Sequence, residues 1–163
     1  MIAEAFAAMP EKQLAVIGDG PDLDRVKALA RGSPNIRVLG YQPTEVLADY
    51  AARARAFVFA AEEDFGITPV EAQACGTPVI AYGAGGVLET VVSSEDPAKR
   101  TGVFFHDQTP EALSDAVREF ETIGEFRAEV CCANAERFSI GNFEKHLIAA
   151  VHTTLNTSNW GCA

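Results

Sequence analysis

Two glutamates, Glu63 and Glu71, stand eight positions apart in the stretch from Ala61 to Gly86, AEEDFGITPVEAQACGTPVIAYGAGG. Between them come Phe65-Gly66-Ile67 and then Thr68-Pro69. Thr68 is a good N-cap, and Pro69 suits a first helical position because the N–H it lacks would have no partner there. The pattern predicts an acidic loop, a glycine turn and a short helix from about Pro69 to Cys75, stopped by Gly76 with Pro78 behind it. The start of such a helix offers free N–H groups and a positive partial charge, which suit a phosphate. Glu71, two residues into the helix, is an acceptor matched to a vicinal diol such as a ribose. Glu63, on the preceding loop, can face the other side of the phosphate. Gly85 and Gly86 give a second loop where backbone can approach a ligand closely. A phosphate with hydroxyl-bearing rings on both sides is the shape of a nucleoside-diphosphate sugar.

These residues need a scaffold, and the flanking sequence predicts one. Apolar runs at residues 13–17, 36–39, 55–60, 79–81 and 102–105 read as five strands. Their near-continuous apolar character is that of strands covered on both faces, hence of a parallel sheet. Helices are expected at 2–9, 21–31, 43–54, 69–75, 88–92, 110–121, 125–138 and 141–155, with Pro or acidic residues opening several of them. Thr109 is the expected cap of the 110–121 helix. Residues 93–101 read as a charged surface loop. Strands alternating with helices give an α/β fold, a parallel sheet with helices on both faces. Ligands bind such sheets outside the carboxyl ends of the strands, where 18–22, 40–43, 61–68, 82–87 and 106–109 all lie. Residues 1–155 read as one domain and 156–163 as a flexible tail.

Composition excludes several functions. A net charge of −10 and a pI near 4.7 argue against a nucleic-acid or polybasic membrane surface. Cys75, Cys131, Cys132 and Cys162 have neither C-x-x-C spacing nor histidines at metal-ligand spacing, so no metal site is expected and free thiols in a reducing, cytoplasmic setting are. No apolar run reaches the ~20 residues that span a bilayer, and no secretory leader pattern opens the chain. Gly18-Asp19-Gly20 invites a dinucleotide reading. The full fingerprint needs a third glycine where Leu23 stands and an acid where Gly40 stands, so a nicotinamide or flavin dehydrogenase is disfavoured. His106 ends the last strand without a serine or cysteine partner nearby in sequence and reads as structural.

Glu63-x7-Glu71 around Phe65-Gly66-Ile67, followed by Glu71-Ala72-x-Ala74-x-Gly76-x-Pro78-Val79-Ile80-Ala81, Gly85-Gly86 and Glu89, closely resembles the retaining nucleotide-sugar glycosyltransferases of family 4 (group 1), which have the GT-B fold. Val16-Ile17-Gly18-Asp19-Gly20-Pro21 and Val38-Leu39-Gly40 are similar too, and the resemblance covers about residues 2–150. It implies the Rossmann-like C-terminal, donor-binding half of such an enzyme. Glu71 would then hold the ribose hydroxyls, and Glu63, as the catalytic group, would contact the donor sugar near the reacting carbon. Backbone around Phe65, Gly66, Ile67 and Thr68 would hold sugar and phosphate. Gly40 and Tyr41 would lie near the base, Gly18 and Gly20 near the diphosphate. The resemblance implies hexose transfer with retention, without metal or other cofactor, to a glycan or lipid-linked acceptor held by an N-terminal domain, at the inner face of the membrane if that domain binds there. The family's acceptor domain, the first strand of its donor domain and the basic loop after that strand have no counterpart in these 163 residues. The expectation is therefore that the chain by itself transfers little or no sugar. The alternative is a non-catalytic nucleotide-sugar-binding fragment. A sugar-nucleotide epimerase is disfavoured for want of an acid/base set.

Overall fold

The computed structural model describes residues 1–157, so Cys162 and the end of the expected tail lie outside the described residues. The elements are α1 (Ile2–Ala7), β1 (Leu14–Ile17), α2 (Leu23–Arg31), β2 (Ile36–Gly40), α3 (Thr44–Arg53), β3 (Phe57–Phe59), α4 (Ile67–Ala74), β4 (Val79–Tyr82), α5 (Val87–Thr90), β5 (Gly102–Phe105), α6 (Pro110–Thr122), α7 (Ala128–Glu136) and α8 (Ile140–Thr157). The five strands foreseen all form, and every pairing among them is parallel.

They do not make one sheet. β1 pairs with β2, and β3, β4 and β5 form a second sheet in that order. Within the second sheet Val79 lies opposite Phe57 and Gly102, and Tyr82 opposite Phe105. Alternate residues of a strand point to opposite faces, and both faces here are covered. Ile80, Val103 and Phe105 join Phe6, Met9, Leu113, Val117 and Phe120 in one core beneath α1 and α6. Val79 and Ala81 join Phe59, Val87 and Val91 in the other. Two buried faces explain the unbroken apolar runs.

Local chemistry fixes the ends of the elements. The Thr109 hydroxyl accepts from the Ala112 N–H at 3.1 Å, with Pro110 at the first helical position. Gly76, with φ of +83°, ends α4 in a Schellman turn: its N–H reaches Gln73 O at 2.9 Å and the Thr77 N–H reaches Ala72 O at 3.0 Å. The buried Asn35 amide donates to the carbonyls of Phe6 and Lys12, both at 2.8 Å, and so ties α1 to the start of β1.

Two expectations are corrected. α4 begins at Ile67 rather than Pro69, because Gly66 takes a left-handed conformation (φ +77°) at the N-cap; Thr68 makes no cap hydrogen bond there, and Pro69 sits third in the helix. The 93–101 loop is not wholly surface. Arg100 is 3% exposed, donates to Glu125 O at 3.0 Å and stacks over Phe126. α8 runs from Ile140 to Thr157. Its apolar stripe forms but stays exposed, with Ile140, Phe143, Leu147, Ile148, Val151 and Leu155 all uncovered.

Candidate functional site

The residues singled out from the sequence cluster at the carboxyl ends of the strands, in two groups. Gly18 follows β1, and its N–H donates to Gly40 O at the end of β2 at 2.9 Å. Side chains built at Gly18, Gly20 or Gly40 would meet no atom within 4 Å. The backbone there is open to an approaching ligand. Tyr41 stands beside it, 76% exposed.

The second group gathers at the ends of β3 and β4. The Gly86 N–H donates to Glu63 O at 2.8 Å and closes the acidic loop onto the glycine loop. A Cβ on Gly86 would lie 2.4 Å from Asp64 O and from Phe65 Cα, and one on Gly85 2.4 Å from Glu63 O. These glycines are required by loop-to-loop contact, a reason distinct from close approach to a ligand. Phe65 is anchored edge-on against Phe138 at 5.5 Å. The clasp leaves the carboxylate of Glu63 exposed.

Between the groups stands the start of α4. Its first-turn N–H groups have no intrahelical acceptor, and no side chain caps them. Glu71 falls fifth in the helix, about half a turn beyond the position first expected for it, and is exposed. Thr68 and Glu71, three apart and so on one helix face, wall the cavity that also borders Ile17 and Asp22 at the end of β1. Glu63 belongs to the loop on the α5 side. An anion seated on the α4 terminus would thus have a carboxylate to either side of it. Among the described residues no histidine, cysteine and carboxylate cluster could hold a metal ion.

Sequence reasoning missed the support beneath this terminus. Gln73 is fully buried and donates to Pro69 O at 3.1 Å and Thr90 O at 2.9 Å. Asn134 of α7 donates to Gln73 Oε1 at 2.7 Å and Thr90 O at 2.8 Å. The Thr90 hydroxyl donates to Gly86 O at 3.2 Å. One buried network therefore locks α4, α5 and α7 together. The available signal was a glutamine on the apolar face of the helix that carries Glu71; its partner lies 61 residues away and could not be paired from spacing.

The fold is that of the GT-B glycosyltransferases. Sucrose-phosphate synthase from Thermosynechococcus elongatus superimposes with a TM-score of 0.68 at 26% identity, over 91% of this chain and 41% of that one. The family model "Glycosyl transferases group 1" matches residues 1–137, and the chain belongs to that family. It is 30% identical over 158 residues to a D-inositol 3-phosphate glycosyltransferase of Corynebacterium urealyticum, covering 90% of this chain and 36% of the relative. It is 34% identical over 125 residues to the GDP-mannose-dependent monoacylated alpha-(1-6)-phosphatidylinositol monomannoside mannosyltransferase of Corynebacterium glutamicum, covering 71% of this chain and 31% of the relative. The chain thus spans about a third of the length of these curated relatives. No helix among the described residues is long and apolar enough to cross a membrane.

Proposed function

We propose that this chain is the donor-binding half of a retaining hexosyltransferase and binds a nucleoside-diphosphate sugar at the carboxyl ends of its strands. The observation that carries this reading is the α4 terminus, an uncapped set of N–H donors with Glu71 on one side and the Glu63 loop on the other. In the bound state the diphosphate lies against that terminus and near Gly18 and Gly20, held by N–H groups and the helix dipole. Glu71 accepts from the ribose hydroxyls. Tyr41, with Gly40, lies near the base. Glu63 lies near the sugar carbon where charge develops as the nucleotide leaves, and its preorganised carboxylate stabilises that charge. The backbone of Phe65, Gly66, Ile67 and Thr68 positions sugar and phosphate. The donor is a nucleotide hexose such as GDP-mannose or UDP-glucose. The acceptor is a glycan or a lipid-linked glycan held by another domain, and work at the cytoplasmic membrane face would come through that domain.

Titration calorimetry with UDP, GDP, UDP-glucose and GDP-mannose tests the reading. One nucleotide should bind, and Glu71→Ala should weaken it by roughly 1–3 kcal/mol, as expected for the loss of a charged hydrogen-bond partner. Equal affinity in the variant, or no binding by the folded chain, contradicts it. The chain alone should transfer no sugar. Measurable transfer to any acceptor would overturn that part.

A further inference from the structure

Arg100 is the only charged side chain buried among the described residues. It lies just before β5, at the amino ends of the strands, and so at the opposite end from the candidate donor residues. Two contacts hold it in place. Its Nη2 donates to Glu125 O at 3.0 Å, and the guanidinium stacks 4.6 Å from the centre of the Phe126 ring. The rest of the group is unmatched. Nε is buried and has no hydrogen-bond partner. No carboxylate pairs with the guanidinium among the described residues. Tying the 93–101 loop to Glu125 accounts for one N–H and one face. It does not account for a buried charge without a counter-ion, which is costly to hold.

Arg100 borders an open cleft of about 550 Å³ between this loop and the end of α6. Ser93, Ser94 and Glu95 line it from the loop, and Glu119 and Ile123 from the helix end. The Ser94 hydroxyl oxygen accepts from the Asp96 N–H at 3.1 Å, so its own proton is left to donate. Glu95 and Glu119 are exposed, and neither enters an ion pair among the described residues. The cleft therefore offers a guanidinium fixed on its buried side, two carboxylates open to solvent and an aliphatic patch at Ile123.

We propose that this cleft binds a small zwitterion, an aliphatic α-amino acid, with its carboxylate on Arg100. A guanidinium is a planar fork of donors that matches a carboxylate. Here Phe126 and Glu125 O have already fixed the fork, so little ordering is left for the ligand to impose. The Ser94 hydroxyl adds a neutral donor. Glu95 and Glu119 complement an ammonium group, which a plain carboxylate ligand lacks. Ile123 takes the aliphatic side chain. One guanidinium against two carboxylates leaves the cleft net negative, which repels a phosphate dianion but not a zwitterion of no net charge. The residues of this cleft are distinct from those of the candidate donor site.

The test is amide chemical-shift titration of the 163-residue chain with L-leucine. Isocaproate, which lacks the ammonium group, and isoamylamine, which lacks the carboxylate, are the matched controls, with inorganic phosphate as a third. Leucine should give saturable shifts at the amides of Ser93, Ser94 and Arg100. Each control should bind on the order of tenfold more weakly, the loss of one charged hydrogen-bonding group. Arg100→Lys keeps the charge but not the fork and should abolish the saturable shifts. Glu119→Gln, at an exposed position, should weaken leucine and leave isocaproate unchanged; it decides the matter even where Arg100→Lys does not fold. No saturable shift with leucine overturns the proposal. So does equal affinity for leucine and isocaproate, tighter binding of phosphate, or leucine binding that Glu119→Gln leaves unchanged. Nucleotide plays no part in the readout, so the outcome is independent of the donor-site reading.

Discussion

Gly86 leaves little room for change in the candidate site. A β-carbon added there would press against the backbone of Asp64 and Phe65, and backbone cannot swing aside as a long side chain can. Gly86→Ala should cost about 1–3 kcal/mol in urea unfolding, the range for forced overpacking, and should open the clasp that holds Glu63. Stability within error of the parent would show that the contact yields cheaply. Cys131 gives a residue-scale prediction in pH. Burial, and secondarily the neighbouring Cys132, pushes its thiol up from 9.0 to about 11. The folded chain thus holds this proton where the unfolded chain releases it. The associated stability is present below about pH 9 and is lost as pH rises toward 11. The difference between parent and Cys131→Ala unfolding free energies should shrink across that window. A constant difference contradicts the assignment. Exposed Cys132 should react with a thiol reagent well before Cys131.

Among the elements, α4 depends most on others for its position. Its eight residues include a proline in the first turn and no side-chain cap. Its orientation therefore rests on the Gln73–Asn134–Thr90 network and the Schellman turn at Gly76. Asn134→Ala leaves Gln73 Oε1 without its donor in the core and should destabilise by about 1–3 kcal/mol. It should also weaken nucleotide affinity, although Asn134 lies on another helix. Loss of stability with unchanged affinity would separate the network from the site. Punctuation made most elements legible: Thr109-Pro110 opened α6, Gly76 closed α4, and the apolar runs placed all five strands. The start of α4 was misread because Thr68-Pro69 carries a helix-start signature. Gly66, just before Ile67, wins because it alone accepts the left-handed turn out of the acidic loop. Residue types and spacing picked out Glu63, Glu71 and the glycines. They could not reveal that Gly85 and Gly86 meet backbone of their own chain, since that contact exists only after β3 and β4 pair.

For the molecule as a whole, the division into two sheets splits the candidate donor residues into two groups. Gly18, Gly20, Gly40 and Tyr41 ride on the β1–β2 pair, and Glu63, Phe65 and Gly86 on the three-stranded sheet. A ligand that uses both groups must span the cavity between the two sheets, so its affinity depends on how firmly the sheets are held together. Apolar periodicity predicted the strands but not their division, because a strand bordering a cavity and one bordering a neighbour have the same side-chain pattern.

Amide chemical-shift mapping during titration with GDP or UDP reports most directly on the central claim. The account predicts that the amides of Gly66, Ile67 and Thr68 shift most, joined by Gly18 and Gly20, and that the Glu71→Ala variant requires more nucleotide for the same shifts. Shifts confined to the amino ends of the strands, or scattered without the α4 terminus among them, would contradict a donor site at the carboxyl ends.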